Sequence, residues 1–268
     1  LKNLNLSSFN TSKVIYMDFM FSNCNSIEDL NLSSFNTSKV TNMVNMFTNC
    51  YLLKKLDLSS FDTSNVTNMA GMFRDCSKLQ YLNINSFDTS NVTGMNNMFR
   101  GCNNLTTLDL SNFNTSKVVT MSLMFDGCTN LENLNLSSFN TSNVTTMYSM
   151  FSELSISKLD LSNFDTSNVT DMASMFYGCK NLTQLDLSNF DTSKVTKTGS
   201  PYGMFCGCSN LKTIYVSSLW NMSNVTDSVN MFENCKFLTG AVPFDSTKTD
   251  VSMANYTTGY LTYKKNTN

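Results

Sequence analysis

Histidine is absent from the 268 residues, proline occurs twice and tryptophan once. Arginine stands only at Arg74 and Arg100. Without histidine there is no imidazole base and no imidazole metal ligand. The 18 basic and 20 acidic residues leave a net charge of -2, with a pI near 5.1. No basic patch stands out, which argues against nucleic acid as a partner. No apolar run approaches the ~18 residues of a membrane-spanning helix, so this segment is not expected to insert in a membrane. No charged start leads into an apolar stretch, so no signal peptide is read in it. The chain opens at Leu1 already inside a repeat, which reads as a piece of something longer. Catalysis has little to work with: no nucleophile beside a base, no glycine-rich phosphate loop, and carboxylates in rows instead of convergent pairs. No catalytic residue, cofactor or metal is expected.

What the chain does have is one unit, written again and again. Phenylalanine recurs at Phe9, Phe35, Phe61, Phe87, Phe113, Phe139, Phe164 and Phe190, at steps of 26 residues with one step of 25 before Phe164. Leu219 is read as the ninth member, after a step of 29. The unit is L-x-x-L-[DN]-L-S-x-F-[DN]-T-S-[NK]-V-T-x-M-x-x-M-F-x-[NDG]-C, and it runs from Leu1 to about Leu238. A period of this length means a stack of coils.

Each part has a physical reading. L-x-x-L-x-L is the strand of a leucine-rich repeat, with Leu56 and Leu58 inward and Lys55 and Asp57 outward. The following phenylalanine turns inward, and a stack of rings is expected where such repeats more often carry asparagine. Val66, Met69, Phe73 and Cys76 fall at i, i+3, i+7 and i+10, which predicts one face of a short helix, capped by Thr63 and Ser64. Before the cysteine position stand Asn23, Asn49, Asp75, Gly101, Gly127, Gly178, Gly207 and Asn234, types that accept a left-handed backbone. Glu153 is the exception, in a repeat that has lost a residue and carries Leu154 for cysteine, so a distorted corner is expected there.

The spacing predicts an α/β leucine-rich-repeat solenoid: a parallel β-sheet on one face, short helices on the other. Its nine coils of residues 1–239 would place strands near Asn5, Asn31, Asp57, Asn83, Asp109, Asn135, Asp160, Asp186 and Tyr215. Residues 240–268, with Tyr256, Tyr260, Leu261 and Tyr263, are read as a C-terminal cap and tail. Open ends of a stack need such caps, and the N-terminal end shows none.

The run Phe61 to Cys76, F-D-T-S-N-V-T-N-M-A-G-M-F-R-D-C, resembles the BspA-type leucine-rich-repeat surface proteins of bacteria. So does the tail Thr258-Gly259-Tyr260-Leu261-Thr262-Tyr263-Lys264-Lys265. That resemblance implies a secreted or wall-anchored protein, with adhesion to host matrix proteins or other cells as the broad role. It carries no catalytic residues over.

Eight of the nine cysteines share one repeat position: Cys24, Cys50, Cys76, Cys102, Cys128, Cys179, Cys208 and Cys235. A disulfide framework or metal site is one reading. A ladder of buried free thiols is preferred, because each completes an apolar face and a long chain needs no disulfide scaffold. Cys206 lies out of register. The methionines of M-x-x-M-F are read as core, with the Met20-type positions flanking the buried stripe.

The outward strand row Asn5, Asn31, Asp57, Asn83, Asp109, Asn135, Asp160, Asp186 and Tyr215 could serve a cation or a glycan, or be a solvated sheet face. A second row, Asn10 to Asp191, is assigned to turn chemistry. Threonine rows raise ice binding, set aside here in favour of capping. Sequons such as Asn65-Val66-Thr67 follow from the repeat itself.

Departures from a repeat are where recognition is grafted. Repeat eight carries an insertion, Lys197 to Gly203, and nearby stand Tyr215 in a polar row and the sole tryptophan, Trp220. An irregular approach to the cap explains these somewhat better than a ligand site does. The candidate ligand patch is Tyr215 with Asp186 and Asp160. Trp220 joins it only if its ring turns outward, and Tyr202 lies on the far side of the coil. Two functions remain open: a monomeric adhesion module binding a protein or glycan of a host or neighbouring cell, or a passive spacer presenting another domain.

Overall fold

The computed structural model describes residues 4–266; Leu1, where the repeat array is read to start, lies outside them. The contacts define an N-terminal unit reaching to Phe139, less Met121–Leu123, and a C-terminal unit of those three residues with the chain from Asn140 on. Both are β-solenoids with parallel strands.

In the N-terminal unit β1 (Lys55–Asp57) pairs with β2 (Tyr81–Asn83), and β3 (Thr107–Asp109) with β4 (Asn133–Asn135). In the C-terminal unit β5 (Gln184–Leu187), β6 (Thr213–Val216) and β7 (Thr262–Tyr263) form one sheet. Every one of these pairings is parallel. Asn5, Asn31 and Asp160 lie outside the assigned strands. Near Asn31 a single parallel bridge joins Asp29 to Lys55.

The expected short helices are not formed. Among the described residues the helical element is one 3-10 turn, Val251–Met253, in the C-terminal segment. The reason lies in the backbone of M-x-x-M-F. Gly71 and Asp75 both hold positive φ, +62° and +58°, and two left-handed residues four apart cannot continue a right-handed helix. Alternate amides then divide their partners. Met72, Arg74 and Cys76 donate three residues back, to Met69, Gly71 and Phe73. Met69, Gly71, Phe73 and Asp75 donate to the next coil, to Gly94, Asn96, Met98 and Arg100. The coil's second side is thus also tied to its neighbour, with bridges such as Asn68 to Gly94. Inward positions recur at nearly helical spacing, so Val66, Met69, Met72, Phe73 and Cys76 are all buried. The same pair recurs at Asn45 and Asn49, Asn97 and Gly101, and Ser174 and Gly178. Glu153 keeps its corner left-handed at φ +59°, with Leu154 buried in the cysteine's place.

Thr63 does not cap a helix either. It is buried, and its hydroxyl bonds the backbone of Asp88 in the next coil. The same geometry joins Thr37 to Asp62 and Thr166 to Asp191. Ice binding through this row is therefore excluded by burial, not by capping.

The column of rings is built by the second phenylalanine of each repeat, not the first. Phe21, Phe47, Phe73, Phe99 and Phe125 stack at 5.6–5.8 Å with near-parallel planes. In the C-terminal unit Phe151, Phe176, Phe205 and Phe232 do the same. Phe35 is buried but meets Phe21 at a tilt of 36°.

All nine cysteines are free thiols; eight are buried and Cys24 is half-buried. Each in-register thiol after the first donates to a phenylalanine carbonyl of the coil before it, as Cys76 does to Phe47 at 3.2 Å and Cys208 to Phe176 at 3.0 Å. Burial pushes the thiol of Cys179 up to about 12 and that of Cys206 to about 11.

Candidate functional site on the strand side of the C-terminal unit

The outward Asp and Asn row has a local task. Asp57 accepts the Ser59 amide at 3.0 Å, Asp109 that of Ser111, and Asn31 that of Ser33. Each closes the turn leaving its strand, so these residues occupy Asx turns. The second row does the same one turn later, Asp62 to Ser64 and Asp165 to Ser167. The Ser59 bonds hold Asp57 below the usual carboxylate range.

One part of the row differs. Asp186 pairs in register with Tyr215, and Tyr215 with Thr262 of β7. Lys264, just beyond β7, forms an ion pair with Asp186 and lies 5.8 Å from the centre of the Tyr215 ring. Burial pulls Asp186 upward, but the Lys264 and Ser188 bonds outweigh it and hold the carboxyl below its usual range. A cleft opens here, lined by Asp160, Ser162, Asp186, Ser188, Asn189 and Lys264 among others. Asp160 keeps its turn bond to Ser162 at 3.0 Å, and Asn189 spans the carbonyls of Leu161 and Phe164. The cleft therefore offers two carboxylates, an ammonium and hydroxyls, and its Lys264 also reaches the half-buried Tyr215.

Tyr215, Asp186 and Asp160 thus come together. Trp220 does not join them. Its ring turns inward and is buried, and its indole N–H donates to the Ala254 carbonyl at 3.0 Å. Trp220, not Leu219, holds the inward ring position: the hydroxyl of Thr192 bonds the backbone of Asn221, as Thr166 bonds Asp191. Leu219 is left exposed. The sequence carries the signal, since Trp220-Asn221-Met222-Ser223-Asn224-Val225-Thr226 aligns with Phe-Asp-Thr-Ser-Asn-Val-Thr. Tyr202 stacks on Tyr177 at 4.2 Å, and its insertion is tethered where the Ser200 amide meets Asp227. Lys264 and Asn189 were not singled out by the sequence. The alternation Leu261-Thr262-Tyr263-Lys264 is the strand signal that places Lys264.

The segment after Gly240 closes the last coil. Phe232 donates its amide to Thr249, and Lys264 donates its amide to Val216. Tyr260 is buried edge-on against Phe232 at 5.4 Å, with its hydroxyl bonded to Asp245 and Lys248.

Among the described residues no helix is long and apolar enough to cross a membrane, and no group of three or more His, Cys, Asp or Glu could hold a metal ion.

Parallel strands, inward leucines and a fixed period define a leucine-rich-repeat β-solenoid. The chain belongs to the family described as Mycoplasma protein of unknown function, DUF285, whose model matches residues 1–81, 75–156 and 147–268. No curated protein matches. Solved structures with similarity include a leucine-rich repeat protein from Bacteroides ovatus, 20% identical, covering 83% of this chain and 62% of that one, TM-score 0.48. A leucine-rich cell surface protein from Faecalibacterium prausnitzii is 17% identical, covering 76% of each chain, TM-score 0.31. The functional domain of InlJ from Listeria monocytogenes, which includes a cysteine ladder, is 16% identical, covering 92% of this chain and 48% of that one, TM-score 0.25. The chain spans about three fifths of the Bacteroides protein.

Proposed function

We propose that this chain is a non-catalytic, extracellular surface module of BspA type that binds a protein or glycan ligand on the strand side of its C-terminal unit. The observation that carries the reading is the cleft lined by Asp160, Asp186 and Lys264, whose Lys264 also lies against the Tyr215 ring. A tyrosine face beside paired charges suits a sugar ring or a mixed polar and aromatic epitope, and aromatic residues dominate binding hot spots. The repeats from 1 to 239 serve as the array, and 240–268 as cap and tail that also completes the cleft.

The N-terminal unit supports a spacer role for its own strands. Its outward positions are evenly polar, Lys55, Asp57, Asn83, Thr107, Asp109 and Asn135, apart from Tyr81. The test is a panel of immobilised matrix proteins and a glycan array, probed with the whole chain with and without calcium. Binding that Tyr215→Asn abolishes supports the adhesion reading. Binding that survives Tyr215→Asn but is lost with Tyr81→Asn moves the site to the other unit. No binding across the panel leaves the spacer.

A further inference from the structure

Along the outward strand row, Asp57 and Asp109 are each followed in the next coil by an asparagine. Asp57 pairs in register with Asn83, whose amide donates to its carboxylate at 3.0 Å. Asp109 pairs with Asn135, whose side chain also hydrogen-bonds it. Asp160 is different, because the next coil brings Asp186. Two carboxylates then follow one another in the row, and a carboxylate has no N–H to give. Like charges so placed repel. The Ser162 bonds still hold the Asp160 carboxyl below its usual range, against burial and the Asp186 charge, so both groups are ionised at neutral pH. One cation reaches them. Lys264 comes from the tail, 78 residues beyond Asp186, forms an ion pair with it and lies 5.8 Å from the centre of the Tyr215 ring. The cleft that Asp160, Asp186 and Lys264 line is thus one positive charge short. Its ammonium is also easily replaced. The Lys264 backbone is fixed by its amide bond to Val216, but its side chain and that of Asp186 are both partly exposed. Ion pairs so exposed are weak.

We propose that the cleft is a receptor for one arginine side chain of a protein ligand, and that Lys264 is a resident stand-in which that arginine displaces. This rests on the reading of the cleft as the ligand site, and it names the chemistry that the site takes. Two neighbouring carboxylates suit a cation with donors on more than one edge. A guanidinium carries five N–H donors in a planar fork and can serve both, whereas an ammonium is a compact point charge. Lys264 accordingly pairs with Asp186. The flat face of a guanidinium also stacks on an aromatic ring, and Tyr215 offers one in register with Asp186. The seated lysine marks the place beside Asp186 and Tyr215 as one that accepts a cation. A neutral sugar brings no charge to Asp160. Entry of the arginine releases Lys264 to water, where an ammonium is strongly hydrated.

The test passes the whole chain over two surfaces, one carrying the capped peptide Gly-Ser-Arg-Ser-Gly and one the same peptide with norleucine for arginine. Lys264→Ala empties the cleft. Lys265→Ala makes the same change in net charge at a residue that does not line it. If Lys264 fills the cleft in about nine molecules of ten, its removal strengthens binding to the arginine surface about tenfold. Lys265→Ala should bind as the native chain does. Adding Asp186→Asn or Asp160→Asn to Lys264→Ala should remove the gain, and the norleucine surface should retain no chain. Thermal melts establish that each variant is folded. Equal gains from Lys264→Ala and Lys265→Ala, or equal retention on norleucine, would overturn the proposal. A glycan or matrix protein whose binding needs Tyr215 and is weakened by Lys264→Ala would leave the adhesion reading standing and sink this one, since Lys264 would then be part of the contact. Arginine binding that follows the variants as expected, with no matrix protein retained, would do the reverse.

Discussion

The Thr63 hydroxyl holds both backbone groups of Asp88, donating to the carbonyl at 2.9 Å and accepting from the amide at 2.8 Å. Thr63 is buried and both bonds are part-buried, so its loss removes the partner of two backbone groups. Thr63→Val keeps the shape and removes the hydroxyl. It should cost about 1–2 kcal/mol, the lower part of the range for a polar group left unpaired. Thr63→Ser should cost distinctly less. Urea unfolding of the two variants decides it. Equal losses would mean that the methyl, not the hydroxyl, matters.

Asn97 separates the left-handed turn from a helix by the sign of one effect. It holds φ +58°. In a helix, Asn97→Ala would stabilise by roughly 0.5 kcal/mol. In the left-handed turn the same change should destabilise by about 1 kcal/mol, while Asn97→Gly should be neutral or stabilising. Thermal melts of both variants read the sign.

The thiols should react in two classes. In native buffer Cys24 alone should be titrated by a thiol reagent, and all nine after denaturation. Burial raises the Cys50 and Cys128 thiols from 9.0 to about 12. A raised pKa gives stability that is complete below the unfolded value and is lost as pH climbs through the folded one. Stability should therefore fall between about pH 9 and 12, and less steeply in a Cys76→Ala, Cys102→Ala variant compared with its own neutral-pH value. An unchanged alkaline slope would remove the thiols from that account.

At the acid end the sign reverses. The Lys264 bond and the turn bonds lower Asp186, and the turn bonds lower Asp57 and Asp109. Lowered carboxyls stabilise above their unfolded pKa near 4 and lose that contribution as pH falls through the folded values. Asp57→Asn keeps the turn acceptor, as Asn31 does. It should leave stability at pH 7 nearly unchanged and flatten the acid limb of a melting-temperature profile. A loss at pH 7 comparable to that of Asp57→Ala would show that the charge itself carries the turn.

The parallel stack was legible because strand alternation and the 26-residue period both act through side-chain burial, which the sequence displays directly. The helix was misread for a definite reason. Val66, Met69, Phe73 and Cys76 follow a spacing shared by a helix and by tandem left-handed turns, and only Asn45, Gly71 and Asn97 in the middle of M-x-x-M-F tell them apart. Tyr215 beside Asp186 was legible, since repeat positions become sheet neighbours. Trp220 was misplaced because the last coil gained a residue before its turn, which counting from Phe190 hides. Lys264 was illegible as a partner of Asp186, because 78 residues separate them and only the tail strand brings them together.

The central functional claim rests on the cleft of Asp186 and Lys264 with Tyr215 beside Lys264, and its most direct test is a comparison on one glycan and matrix-protein array. The native chain, Tyr215→Asn, the double variant Asp186→Asn with Lys264→Ala, and Tyr81→Asn are matched for melting temperature and probed together. The account predicts that ligands of the native chain are lost or weakened at least about tenfold, roughly 1.4 kcal/mol, by the first two variants and retained by Tyr81→Asn. Ligands that bind all four chains equally, or that only Tyr81→Asn loses, would contradict it.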